Sequence, residues 1–299
     1  MSAGPALAGV GLGVTPEFPA KVTVGDTDVP AGIRIANAAF GGEADNSATL
    51  TDITVVPSCA LSPAAPPDTN CTGGEDRGAL RLSASGTGVA DSACEGRTFT
   101  ITEIDQTSGR YRLTPDAPVV LGPPDSATDT CLIDFTFDVA RMPAKDAFPD
   151  QSGLQTTQVG FSAATFSPSS LTGSGSGTDV TTVAKAVPTL TTEAPPTSTV
   201  GQPVSDVATL SGGVGPGGEI TFTLFGPDDA ECVGPPVFTS TRPVDGDGQY
   251  TSEAFTPTAP GTYRWVAAYS GDDANDAVTT ACGEANEITE VAAVLGAPA

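Results

Sequence analysis

In 131-CLIDFTFDVA-140, Ile133, Phe135 and Phe137 fall on one side of an extended chain, and Leu132 and Asp134 on the other. The stretch 97-RTFTITEI-104 repeats the arrangement, with Phe99, Ile101 and Glu103 opposed to Thr98, Thr100 and Thr102. A period of two makes a strand with one buried and one wet face, the pattern of antiparallel sheets. No segment sustains the 3.6-residue period of a helix. Gly, Pro and β-branched residues, all poor helix formers, punctuate the chain throughout. The 35 Gly and 27 Pro follow no collagen-like period, so a fibrous repeat is excluded. Short Thr- and Val-rich runs broken by Gly, Pro, Asp and Ser read as many brief strands joined by turns. The expected class is all-β, with two antiparallel β-sandwich domains in tandem.

The length of 299 residues suits about two domains of ordinary size. The joint falls in 185-KAVPTLTTEAPPTSTVGQP-203, where Pro188, Pro195, Pro196 and Pro203 cannot donate to a sheet. This reads as a short, stiff connection leading into a domain's first strand, with the boundary near Val187. Residues 19–187 then form a large sandwich and 188–293 a smaller one. Residues 1–18 are an apolar, Gly-alternating strand or tail, and 294–299 a tail. Upstream strands are expected at 21–29, 31–40, 48–56, 78–86, 97–104, 109–115, 131–140, 154–163 and 171–183. Downstream strands are expected at 189–194, 204–210, 219–226, 236–244, 249–257, 262–270 and 286–292, a number and length that suit an immunoglobulin-like sandwich.

Charge and cysteine content narrow the function. The net charge is −24, from 36 acidic and 12 basic residues. Such a surface repels phosphate backbones and anionic headgroups, which argues against nucleic-acid and membrane-surface binding. No apolar run is long enough to span a membrane. The chain has no His, which removes Ser-His-Asp and Cys-His catalysis and every His-ligated metal site. Cys59, Cys71, Cys94, Cys131, Cys232 and Cys282 are even in number and lack C-x-x-C spacing, which favours a disulfide framework in an oxidising compartment. No cationic segment precedes an apolar one at the N-terminus, so an export signal is expected to have been trimmed, or the chain to be an excerpt of a longer one.

The stretch 261-GTYRWVAAYSGDDAND-276, with 254-AFTPTAPGTY-263 before it and 281-ACGEANE-287 after, resembles the bacterial Ig-like repeats of large surface and secreted proteins of high-GC Gram-positive bacteria. The resemblance covers the last third of the chain. It implies a spacer or adhesive module without catalysis. Trp265, the sole Trp, is expected at the sandwich centre, with Tyr263 and Tyr269 on its face or near the sheet ends. The first domain is more loosely similar to sandwich modules beside such repeats, through 131-CLIDFTFDV-139 and 171-LTGSGSGTD-179. If bridges stay within domains, Cys232 pairs with Cys282. The other four cysteines allow three pairings, of which Cys59–Cys71 with Cys94–Cys131 is favoured. The first would close the Pro-rich loop 61–70.

Candidate sites are sparse. In 244-VDGDGQY-250, Asp245 and Asp247 stand two apart beside glycines and are the candidate calcium ligands. The spacing and distant Glu of an EF-hand are missing, and the competing reading is a hairpin turn. The acidic stretches 227–231 and 272–276 would add oxygens only if they converge. Paired carboxylates for glycoside hydrolysis are available among 36 acids, but nothing singles out two. Arg110 and Arg112 around Tyr111 read as a strand's outer face or a small anion patch. Lys21, Lys145 and Lys185 are the lysines available for a Lys–Asn crosslink. In 6-ALAGVGLGV-14, Ala8, Val10, Leu12 and Val14 share one side and three glycines the other. That pattern fits a strand paired within its own domain, a loose tail, or a donor strand completing a neighbour's sheet.

The expectation is a non-catalytic structural module of a secreted or cell-surface bacterial protein, a stalk, adhesin or fibre subunit. The rival is a ligand-binding module for cell-wall glycan or a receptor. Partners are other surface-protein subunits or domains, with glycan as the second choice; no cofactor is expected beyond the calcium candidate.

Overall fold

The computed structural model describes residues 12–37, 47–50, 53–59, 79–105, 110–142, 154–167, 172–227 and 229–294. The chain divides into two compact units, Met1–Ala184 and Lys185–Ala299. The described residues form strands and turns, with one short 3-10 turn at Ala285–Glu287 as the sole helical element among them. The fold is an all-β sandwich architecture.

In the first unit the strands are β1 (Leu12–Glu17), β2 (Lys21–Thr23), β3 (Val29–Asn37), β4 (Ser47–Leu50), β5 (Ile53–Cys59), β6 (Leu80–Leu82) and β7 (Ser85–Gly88). They continue as β8 (Thr98–Asp105), β9 (Arg110–Pro115), β10 (Val119–Leu121), β11 (Thr130–Val139), β12 (Leu154–Ser167) and β13 (Thr172–Ala184). Hydrogen bonding links them in the order β1-β3-β11-β7-β8-β9-β5-β12-β13-β2, with β6 on β11 and β4 joining β10 to β12. The path folds back on itself, so that β1 packs against β13 at the opposite end. Phe18 N–H donates to Asp179 Oδ2 at 2.8 Å. Gly177 makes the approach feasible, since a Cβ there would lie 2.0 Å from the Val14 carbonyl oxygen. Inward residues of β3 and β11, among them Ile33, Ile35, Ile133 and Phe137, are almost fully buried, as the period of two requires. The Phe18 ring meets Phe135 at 5.9 Å and Phe137 at 5.3 Å.

The second unit holds β14 (Thr189–Glu193), β15 (Thr197–Thr199), β16 (Val207–Ser211), β17 (Glu219–Phe225) and β18 (Pro236–Pro243). It ends with β19 (Gly248–Thr251), β20 (Gly261–Tyr269), β21 (Val278–Thr279) and β22 (Ile288–Ala292). One sheet runs β14-β16-β19; the other runs β15-β22-β20-β17-β18, with β21 on β20. Trp265 is completely buried in the core that the sheets enclose, with Phe222 and Leu224 of β17 beside it in the cluster and Phe238 edge-on at 6.1 Å. Tyr263 and Tyr269 point the same way and are almost fully buried. Their hydroxyls donate to the Ala259 carbonyl (3.0 Å) and to Asp272 Oδ2 (3.2 Å), which lets each ring be buried with its polar end satisfied.

Several expected elements differ in detail. The run 21–29 is two strands, because positive φ at Gly25 (89°) and Asp28 (53°) turns the chain between them. The run 78–86 splits at Ser83, whose hydroxyl donates to the Ser85 carbonyl and accepts from Thr136 N–H. The alternation of 97–104 holds through Glu103, which pairs with the buried Tyr111 although its own side chain is exposed, and the register shifts only between Glu103 and Asp105. β10, β15 and β21 have two or three residues each, too few to show a period. Pairing is antiparallel except for β2 on β13 and β15 on β22, which are parallel.

Candidate functional site

A concave feature lies on the outer face of β1, β3, β11 and β7. The ladder registers put Glu17 opposite Gly32, Gly32 opposite Asp134, and Asp134 opposite Thr87, so the four form one row across four strands. Gly32 has no side chain to fill the middle of that row. The position a Cβ would occupy there is 3.3 Å from Asp134 Oδ1 and 3.8 Å from Glu17 Oε2, so both carboxylates lean over the glycine. The result is an open groove of about 560 Å³, walled by Pro30, Ser85, Thr87 and Thr136 beside the two acids. Among the described residues neither carboxylate has a hydrogen-bonding or ion-pair partner.

A hydroxyl ladder continues from the groove. Thr87 pairs with Thr98, Ser85 with Thr100, and Thr100 with Thr114, all exposed on the same face of β7, β8 and β9. The alternation of Thr98, Thr100 and Thr102 is visible in the sequence. That it joins Ser85, Thr87 and Asp134 is set by strand order, for which the sequence carries no local signal.

No known family model matches this chain. No curated protein sequence matches it either. Among solved structures it is similar to a Salmonella alpha-2-macroglobulin mutant, at 11% identity and a TM-score of 0.25, over 95% of this chain and 16% of that one. It is also similar to Escherichia coli alpha-2-macroglobulin in its native conformation, at 10% identity and a TM-score of 0.25, over 94% of this chain and 17% of that one. The chain thus spans about a sixth of the length of these proteins, and superpositions this loose carry no argument about its function.

The residues singled out from sequence fall in several places. Cys94–Cys131 and Cys232–Cys282 are disulfides, with Cα atoms 4.9 Å and 6.0 Å apart. The first is wholly buried; Cys232 and Cys282 are half-buried. The pairing Cys59–Cys71 falls outside the described residues. Leu12 and Val14 are buried in β1, which pairs with β3 of its own unit; Ala8 and Val10 lie outside the described residues.

Asp245 and Asp247 do not sit in a hairpin. β18 and β19 belong to different sheets, so the turn between them carries the chain from one sheet to the other. Asp247 accepts from Gly212 N–H (2.9 Å) and Gly213 N–H (3.1 Å), while Asp245 is exposed. Among the described residues no three acids or cysteines converge as metal ligands would. Arg112 is exposed on the outer face of β9, and nothing is described of the Arg110 side chain. Tyr111 between them is buried, and burial together with Glu103 pushes its phenol up. Lys21 is exposed on β2, the Lys185 amine donates to the Asp272 carbonyl, and Lys145 lies outside the described residues.

Two features escaped the sequence reading. Asp272 gathers a loop end. Its carboxylate accepts from Gly217 N–H (2.6 Å) and from Ala274 N–H and Asn275 N–H (2.8 Å each), and takes the Asn275 side-chain amide as well. Burial pushes Asp272 up, but those hydrogen bonds outweigh it and hold the carboxyl below its ordinary range. Asp206 and Glu287 are the opposite case, two fully buried carboxyls. Burial raises Asp206 to about 7, Glu287 adds to the rise, and the Val207 and Glu193 amides, which approach without completing hydrogen bonds, only partly offset it. Glu287 accepts from the Thr192 hydroxyl and is likewise raised, chiefly by burial.

Proposed function

We propose that this chain is a non-catalytic structural module of a secreted or cell-surface bacterial protein, a stalk or adhesive segment whose second unit is an Ig-like domain. The observation that carries the reading is how the acidic side chains at the loop ends of that unit are used. Asp229, Asp247 and Asp272 each accept backbone N–H groups of their own unit, so carboxylates that a catalytic or metal site would need are committed to holding loops. The disulfides among the described residues, one in each unit, support an oxidising, extracellular setting. The absence of His from the whole sequence supports the lack of hydrolytic chemistry. Partners on this reading are other subunits or domains of the surface, met through protein–protein contact. No helix among the described residues is long and apolar enough to cross a membrane.

The test combines two measurements on the full oxidised chain. Turnover is assayed on ester, peptide and glycoside substrates, and melting is followed with and without a chelator. The module should show no turnover above background, and its melting temperature should not change with chelation. Turnover that disappears on replacing a single carboxylate would overturn the assignment.

A further inference from the structure

We propose that the groove over Gly32, with the hydroxyl ladder beside it, binds an extended, neutral polysaccharide chain. This goes beyond the structural reading and rests on residues of the first unit alone. The chemistry of the lining selects the ligand. Glu17 and Asp134 offer only acceptors, and they face each other across a position with no side chain, so the ligand must bring donors to both. Ser85, Thr87 and Thr136 offer hydroxyls that donate and accept. A sugar ring, carrying hydroxyls around its edge, satisfies both sets at once. An anionic ligand meets two unpaired carboxylates on a chain of net charge −24, and an apolar ligand would leave those carboxylates desolvated without partners.

A chain is favoured over a single sugar because the polar row does not stop at the groove. Beyond Thr87 and Ser85 it continues through Thr98, Thr100 and Thr114, one strand at a time. Strands are ~4.8 Å apart, close to the length of one hexose in an extended glycan. No aromatic ring is exposed along the row, so each sugar is held by hydrogen bonds alone and affinity accumulates with length.

The test is a titration of the isotopically labelled full chain with cellohexaose, xylohexaose and mannohexaose, their disaccharides, and calcium chloride alone, read by amide chemical shifts. At least one hexaose should move the amides of Gly32, Thr87 and Thr136 and bind at least tenfold more tightly than its disaccharide. Asp134→Asn and Glu17→Gln together should weaken binding at least tenfold without lowering the melting temperature. Thr87→Val, an exposed change, should weaken it severalfold. The proposal is overturned by the absence of shifts with all three hexaoses, by equal binding in the substituted chains, or by shifts that calcium alone produces and sugars do not.

Discussion

Carboxylates in this chain act mainly on backbone amides. Asp26 receives Thr23 N–H at 2.7 Å, Asp138 receives Asp28 N–H at 3.0 Å, and Asp272 receives three amides from two loops. A charge-assisted bond of this kind contributes about 1.5–3 kcal/mol, so Asp272→Ala should destabilise the second unit by roughly 3 kcal/mol, measured by denaturant unfolding. Because the Asp272 carboxyl is held low, its contribution is present above the ordinary carboxylate range and is lost as pH falls through its folded value. Asp206 works in the opposite sense. With a folded value of about 7, it binds its proton more tightly folded than unfolded. The second unit therefore gains stability as pH falls from about 7 towards 4, where both states are protonated. A shift of about three pH units corresponds to about 4 kcal/mol. None of the three cations in 185–299 offsets this: Lys185 bonds the Asp272 carbonyl, Arg242 pairs with Glu253, and Arg264 donates to the Asp229 carbonyl. The melting temperature of the second unit should rise on going from pH 7.5 to pH 5. Asp206→Asn should raise it at pH 7.5 and flatten the pH dependence; a steeper dependence in that variant would refute the assignment. In 204-VSDVATL-210 the period of two puts Asp206 on the face of Val204, Ala208 and Leu210, all buried, but nothing local shows that Glu287, far along the chain, lies close enough to raise it further.

At the scale of elements, the position of β1 depends on a glycine in another strand. The sequence draws attention to the glycines of 6-ALAGVGLGV-14, yet Gly13 has nothing nearer to its missing Cβ than the Ala36 oxygen at 3.9 Å. The close approach is at Gly177 of β13. The Gly-alternating 171-LTGSGSGTD-179 was legible as a strand, but not as the surface on which β1 rests, because close packing between distant strands has no local signature. Gly177→Ala should push β1 away and destabilise the first unit by about 1–3 kcal/mol, with faster proteolytic cleavage near residue 17. The disulfides differ as elements too. Both close long loops, of 37 and 50 residues, each contributing roughly 4 kcal/mol in the chain-entropy model. Their accessibility separates them: under graded reductant, alkylation mapped by mass spectrometry should appear at Cys232 and Cys282 well before Cys94 and Cys131. Strand positions followed from the period of two wherever six or more residues alternated. Strand order did not: β7 pairs on one side with β8, the next strand, and on the other with β11, which comes only after β8, β9 and β10, and nothing local marks that second partner.

For the whole molecule, the decisive question is whether copies associate, and two opposing terms can be weighed. The net charge of −24 keeps copies apart. Against this stands the edge of β3, which β1 covers through a six-residue antiparallel register from Leu12–Asn37 to Glu17–Gly32. With β1 in place, the full chain should be monomeric by light scattering at 0.1 M salt. Removing residues 1–17 uncovers the β3 edge and the apolar residues against which Leu12 and Val14 pack, leaving a template for pairing with another chain. The truncated chain should then associate, and more strongly at 1 M salt, where the screening length falls from about 10 Å to about 3 Å and repulsion no longer reaches across the gap. That pair of results would fix β1 as a strand serving its own unit and favour a stalk or adhesin over a fibre. Assemblies formed by the full chain and abolished by truncation would mean the reverse: β1 exchanged between copies, and a chain built to polymerise.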